Sequence, residues 1–221
     1  MVAPKNHYSP HAEDQFLWYL FQQLGFRTFT YLDLGAHHPS FISVTKLFYD
    51  NGCRGINVEP NRYLYEQFLK ERPEDTNVCC GVGVKEGHAN FYSFQELKPC
   101  TTRQHKPKLR LQIENGDFGK SRLESVFVVY VNRLVKLHCK GHWPEFLNCS
   151  IGGAEFEVLE SAHFGKYPPI VLCVKVSIED AKGMSAMLWE KHFCAYVRIG
   201  PKVIYVRNDY WEKLTKALGI W

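Results

Sequence analysis

Residues 28–61 read TFTYLDLGAHHPSFISVTKLFYDNGCRGINVEPN. An apolar run, with Phe29, Tyr31, Leu32 and Leu34, ends at Asp33, Gly35 and Ala36. A helix-length segment bearing Leu47, Phe48 and Tyr49 follows, and a second apolar run, residues 55–58, ends at Glu59. A strand, a tight glycine turn, a crossover and a second strand with an acid at its carboxyl end make the opening unit of a doubly wound α/β sheet.

That order has chemical consequences. Gly35 lets the backbone turn sharply and approach a ligand closely. The amides after it are expected to open a helix, whose start favours electron-rich or anionic ligand groups. A carboxylate at the end of the second strand suits the two hydroxyls of a ribose, because it can accept both hydrogen bonds. One glycine in place of G-x-G-x-x-G gives no pyrophosphate cradle, so a nucleoside cofactor without a diphosphate fits better, and S-adenosylmethionine meets that description. An ordinary βαβ unit without a cofactor is the competing interpretation of this stretch taken alone.

The same stretch resembles the FkbM family of S-adenosylmethionine-dependent methyltransferases, in the branch whose first loop reads D-x-G-A-H-H-P and continues S-N-T, F-Y and G-W-R-G-I-N. Asp33, Gly35, Ala36, His37, His38 and Pro39 match the loop, and Ser43 and Thr45 match the outer letters of S-N-T, with Val44 in place of the Asn. Upstream, Tyr8, Ser9, Glu13 and Asp14 match the family's Y-S-Q and G-E-D, with Pro10 in place of the Gln. The resemblance runs from about Tyr8 to the C-terminus. It implies a Rossmann-like methyltransferase fold with helices on both faces of a mostly parallel sheet. The expected cofactor contacts are Asp33, Gly35, Ala36, His37, Glu59, Asn61, Gly81 and Val82.

A chain of 221 residues, 45% of them apolar, suffices for one globular domain with a substantial core. The net charge of +4 permits anionic substrates but lacks the concentrated basic face of a nucleic-acid binder. The eight cysteines form no C-x-x-C pair, and Cys79, Cys80, Cys149 and Cys173 sit in apolar runs, which suits a reducing, cytoplasmic setting. The first 15 residues are polar, so no signal peptide is expected, and no apolar run is long enough to span a bilayer.

Residues 1–12 are expected to be a loose lead-in, and residues 13–24 a helix whose first-turn acids, Glu13 and Asp14, suit either the helix dipole or function. Residues 60–71 have a helical pattern with Tyr63, Phe68 and Leu69 on the buried face. Residues 77–82 and 88–94 are expected to be strands, with Lys85-Glu86-Gly87 making the turn before the second. Residues 97–122 form a long basic loop containing Lys98, Arg103, Lys106, Lys108 and Arg110, either a solvated surface loop or a lid over an anionic acceptor. Strands at 125–131, 170–176, 195–199 and 202–206 and helices near 134–139, 181–190 and 210–218 complete an α/β end with an antiparallel hairpin at Gly200-Pro201. His138, Cys139 and His142 invite a zinc site, but three ligands without a fourth suit a helix end better, and no metal is assigned.

Residues 146–159, FLNCSIGGAEFEVL, carry a second motif. The family pattern here is a strand ending D-x-E-G-x-E, followed by F-E-V-L. Gly153, Glu155 and residues 156–159 match, but Ser150 and Gly152 replace the first two acids, and Lys175 stands where relatives tend to place Glu. The first function expected is therefore O-methyl transfer to a hydroxyl of a small molecule or glycan, with His37 or His38, or else Glu155, taking the proton. The second is a methyltransferase-like binding or regulatory protein that has lost catalysis with those acids. A nucleic-acid methyltransferase is the third, supported only by the basic loop.

Overall fold

A computed structural model describes residues 7–94, 103–104 and 121–217. Strand β1 (Thr30–Leu34) is exposed at its first residue and buried along the next four. Burial on both faces is what the interior of a parallel sheet demands, and it explains an apolar run without strict alternation. β1 pairs in parallel with β2 (Arg54–Val58) on one side and β8 (Phe146–Cys149) on the other. β2 continues in parallel to β3 (Thr76–Val78), and β8 to β9 (Val171–Lys175). β11 (Lys202–Arg207) joins β9 antiparallel, and β10 (Phe193–Ile199) closes that edge as its hairpin partner. The order is β10-β11-β9-β8-β1-β2-β3. This is the expected doubly wound, mostly parallel α/β sheet with an antiparallel C-terminal hairpin.

Successive residues of each strand feed two different cores. On one face Tyr31, Phe146, Cys173 and Ile204 pack with Leu17 and Phe21 of α1 (Glu13–Gln23), Phe48 of α2 (Lys46–Asp50) and Leu214 of α7 (Asn208–Ala217). On the other, Leu32, Leu34, Leu147 and Leu172 meet Leu134 of α4 (Val131–His138), Val158 and Leu159 of α5 (Glu155–Ser161) and Leu188 of α6 (Ala181–Glu190). Among the described residues no helix is long and apolar enough to cross a membrane.

A second sheet, ordered β4-β7-β5-β6, holds β4 (Gly81–Gly83), β5 (Gly87–Phe94), β6 (Arg103–Gln104) and β7 (Ser121–Tyr130). Several expectations change here. The strand expected over 77–82 is two strands in different sheets, because the chain crosses from one to the other at Cys79-Cys80. The turn at residues 85–87 does not pair its flanking strands, since β7 lies between β4 and β5. Most of the basic loop, including Lys98, Lys106, Lys108 and Arg110, lies outside the described residues, while Arg103 belongs to β6 and residues 121–122 to β7.

The amides after Gly35 do not open a helix. Residues 36–45 run as a loop, with His37 at φ 61° and Ile42 at φ 58°, and Pro39 disfavours helical backbone at His38. In α3 (Arg62–Glu71) the buried residues are Leu64 and Phe68, whereas Tyr63 and Leu69 are exposed. Asn61 caps that helix by accepting from the amides of Tyr63 and Leu64, and this sets its rotation. The lead-in is fastened from Tyr8 onward. The Tyr8 amide and Ser9 hydroxyl donate to the Asp14 carboxylate at 2.7 and 2.6 Å, and the Ser9 oxygen accepts from the Asp14 amide.

Beside β1 and β2 lies Arg72, fully buried. It pairs with Asp75 at 2.7 Å and donates to Thr45 Oγ1 at 3.0 Å and to the Tyr31 hydroxyl at 2.7 Å. Asp75 also accepts from the Gly55 amide and from Asn57 Nδ2. Removing one partner of such a pair strands a buried charge. Arg72→Leu should therefore cost about 3–5 kcal/mol in urea unfolding. Adding Asp75→Asn should cost less than the sum of the two single losses, and strict additivity would show that the pair is not coupled.

Candidate functional site

The carboxyl ends of β1, β2, β8 and β9 open onto a cavity of about 290 Å³. The chain leaves β1 toward β2 on one side and returns as β8 on the other. The cavity therefore stands at the switch point where doubly wound sheets take their ligands.

Gly35 shapes it. Its φ is 75°, and a Cβ built there would lie 2.3 Å from the carbonyl oxygen of Ser150. Backbone sign and close approach both demand glycine. The amides of Gly35 and Ala36 donate to the Val58 carbonyl at 3.0 and 3.1 Å, and the Ser150 amide donates to the Leu34 carbonyl at 2.9 Å. Three strand ends are thus tied together around one turn.

Glu59 is the buried carboxylate at the end of β2, 5% exposed. The His37 amide donates to one oxygen at 2.8 Å and the Asn61 amide to the other at 2.9 Å. Burial pushes its pKa up to about 7, against the opposing pull of those two amides and with a small addition from the charge of Asp33. Each carboxylate oxygen has further acceptor capacity toward a ligand. Asp33, by contrast, is an anchor: its oxygens accept from Thr45 Oγ1 at 2.8 Å and Asn148 Nδ2 at 2.7 Å.

Of the residues singled out in the sequence, Asp33, Gly35, Ala36, His37, Glu59, Gly81 and Val82 line this cavity. Three stand outside its lining. Asn61 caps α3 and fixes Glu59 through its amide. Nδ1 of His38 accepts from the amides of Ser40 and Phe41, both at 3.1 Å, so the ring braces its own loop. The two oxygens of Glu155 accept from the amides of Gly152 and Gly153 at 3.0 and 2.7 Å, and its side chain borders a neighbouring groove.

Other lining residues were not among those expected to form the site. Cys80 and Phe91 give an apolar wall beside Gly81 and Val82, at the junction of the two sheets. Pro10, His11 and Glu13 come from the N-terminal segment, and Asn148 and Lys202 from strands far along the chain. Lys202 looks like the solvated start of a hairpin strand, yet it shares a face with Ile204 and Val206, both fully buried, and that alternation was a usable signal. Among the described residues no group of three or more His, Cys, Asp or Glu side chains is placed to hold a metal ion.

Residues 33–197 match the family model of the methyltransferase FkbM domain. None of the curated proteins matches the chain. A solved structure similar to it is that of a Pyrococcus horikoshii protein described as a candidate RNA methyltransferase, PH1948, at 10% identity and a TM-score of 0.44 over 92% of this chain and 87% of that one. That likeness is too distant to carry fold or chemistry from one protein to the other. The matched family span runs from Asp33 in β1 into β10 and takes in β2, β8 and β9 whole, and the chain belongs to the FkbM methyltransferase family.

Proposed function

We propose that the chain transfers a methyl group from S-adenosylmethionine to a hydroxyl of a small molecule or glycan. Glu59 carries the proposal. It is a buried carboxylate fixed by two backbone amides, facing a cavity across from a glycine that cannot bear a side chain. Those features fit a nucleoside. Glu59 would accept from the ribose hydroxyls, Gly35 and Ala36 would pass close to the ligand, and Gly81, Val82 and Phe91 would offer the adenine an apolar wall. The bound donor supplies an electrophilic methyl group, and the protein's own work is to position the acceptor and take its proton.

His37 is the proposed proton acceptor, because of the three candidates it is the one that lines the cavity. His38 and Glu155 are assigned as positioning residues. The groove that adjoins the cavity at Lys175 and Pro201 is bordered by the exposed carboxylates Glu157, Glu179 and Asp180. That rim disfavours a polyanionic strand and supports a small or glycan acceptor. A second reading, donor binding without turnover, is favoured by one observation. Ser150 and Gly152 replace two acids, and the third, Glu155, already spends both oxygens on its own loop.

The pKa of Glu59 gives a test with a definite sign. Its folded value, about 7, lies above its ordinary value of 4.5, so it contributes stability below pH 4.5 that is lost as pH rises to 7. Ligand hydroxyls favour the ionised form, so affinity should rise with pH up to about 7 and then level off. The probe is 5′-methylthioadenosine, which has the ribose and adenine without the amino-acid arm. Calorimetry near pH 7 in buffers of different ionisation enthalpy should show release of about half a proton, the fraction still bound at the pKa. Pairing Glu59→Gln with the intact chain should remove both effects, and a flat pH profile in the intact chain would refute the assignment.

His37→Asn tests the base. Asn tolerates the left-handed backbone at this position. Donor affinity should stay within about twofold while kcat falls about 10²–10⁴-fold, because the His37 amide on Glu59 is kept and only the ring is lost. An unchanged kcat would move the proton to another group.

A further inference from the structure

Lys202, the first residue of β11, is 8% exposed. Its register partner across the antiparallel ladder is Lys175, the last residue of β9, and both side chains line the cavity. Like charges placed directly opposite one another destabilise a sheet. A buried ammonium is costly unless a counter-charge pairs with it. The described partner of Lys202 Nζ is neutral, Asn148 Oδ1 at 3.2 Å. Among the described residues no carboxylate oxygen lies within 4.0 Å of it. Glu13 and Asp33 share the wall without touching Nζ: Glu13 is near enough to feel the charge of Lys202, but its described hydrogen bond is from the His11 amide at 2.9 Å, and Asp33 is held by Thr45 and Asn148.

The fold thus places two cations side by side at one end of a cavity and buries one of them with no anion in contact with it. We propose that Lys202, flanked by Lys175, is an anion-binding subsite, and that the methyl acceptor is a small molecule whose carboxylate or phosphate group seats there. The subsite presupposes the donor site at the opposite end of the same cavity. β9 and β11 stand three and four strands from β2, roughly 14 and 19 Å at a spacing of about 4.8 Å. That separation sets the lysines away from the ribose end and toward the acceptor. A single anionic group is compatible with the carboxylate rim outside, whereas a nucleic-acid backbone is not.

The test compares the intact chain with Lys202→Met in thermal unfolding, using inorganic phosphate against sodium chloride at matched ionic strength. Phosphate should raise the Tm of the intact chain beyond chloride, and Lys202→Met should lose that gain. Where Lys202→Met does not fold, Lys175→Met, which alters a half-buried side chain, should lose the same protection. Binding of S-adenosylhomocysteine and of 5′-methylthioadenosine locates the anion. Equal affinities in both proteins support its assignment to the acceptor. A tenfold or greater loss for S-adenosylhomocysteine, with none for 5′-methylthioadenosine, would give the subsite to the donor's carboxylate and overturn the acceptor assignment. Absence of phosphate protection in the intact chain, or its survival in the lysine variants, would overturn the subsite itself. If neither nucleoside binds the intact chain, the donor site fails on its own and the acceptor assignment with it, while the phosphate comparison still decides whether the lysines hold an anion.

Discussion

Arg72 carries a full positive charge with no exposure to solvent, and four acceptor residues from three segments surround it. Asp75 neutralises it on one side. On the other, Thr45 accepts from the guanidinium and donates its own hydroxyl hydrogen bond to Asp33, which in turn accepts from Asn148, whose oxygen accepts from Lys202. The sequence of full charges along this path is negative, positive, negative, positive. Each link is a hydrogen bond between buried groups, where low polarisability of the surroundings makes a satisfied bond strong and a broken one costly. The path ends on Asp33 of β1, Asn148 of β8 and Lys202 at the start of antiparallel β11, all three of which line the cavity.

In the cavity itself the requirements are steric and electrostatic. Gly35 must lack a side chain for β1 and β8 to close against each other. Glu59 must stay buried for the cavity to keep its shape, although burial opposes its charge. A shift from 4.5 to about 7 corresponds to roughly 3 kcal/mol held against the ionised form. A ligand that donates two hydroxyls to the carboxylate relieves that opposition. Lys202 shows a related imbalance at the far end, a buried cation facing a neutral carboxamide. The two ends of one cavity thus ask for opposite chemistry, hydrogen-bond donors at Glu59 and an anion at Lys202.

The parts of this arrangement that were legible in the sequence are the parts that are contiguous in it. β1, Gly35, β2 and Glu59 fall within 34 residues and carry their own turn and strand signals. The helix at Ala181–Glu190 and the C-terminal hairpin were equally plain, from apolar spacing and from Gly200-Pro201. What failed was decided by tertiary partners. The loop after Gly35 stays out of helix because Pro39 and two left-handed residues hold it along the cavity. α3 turns Leu64 inward because Asn61 caps it and spends its amide on Glu59. Arg72 and Asn148 gave no local sign of their role, since their partners lie up to 115 residues away, and Lys202 gave only its alternation with Ile204 and Val206. The match of Ser43 and Thr45 to a family motif marked two members of the buried network without revealing the arginine they serve.

The most direct measurement is a crystal structure of the intact chain with S-adenosylhomocysteine. Both ribose hydroxyls should lie within hydrogen-bond distance of the Glu59 carboxylate, with the adenine against Val82 and Phe91 and the sulfur on the Ser150 side of Gly35. A nucleoside bound elsewhere, or seated in this cavity with its ribose away from Glu59, would contradict the account.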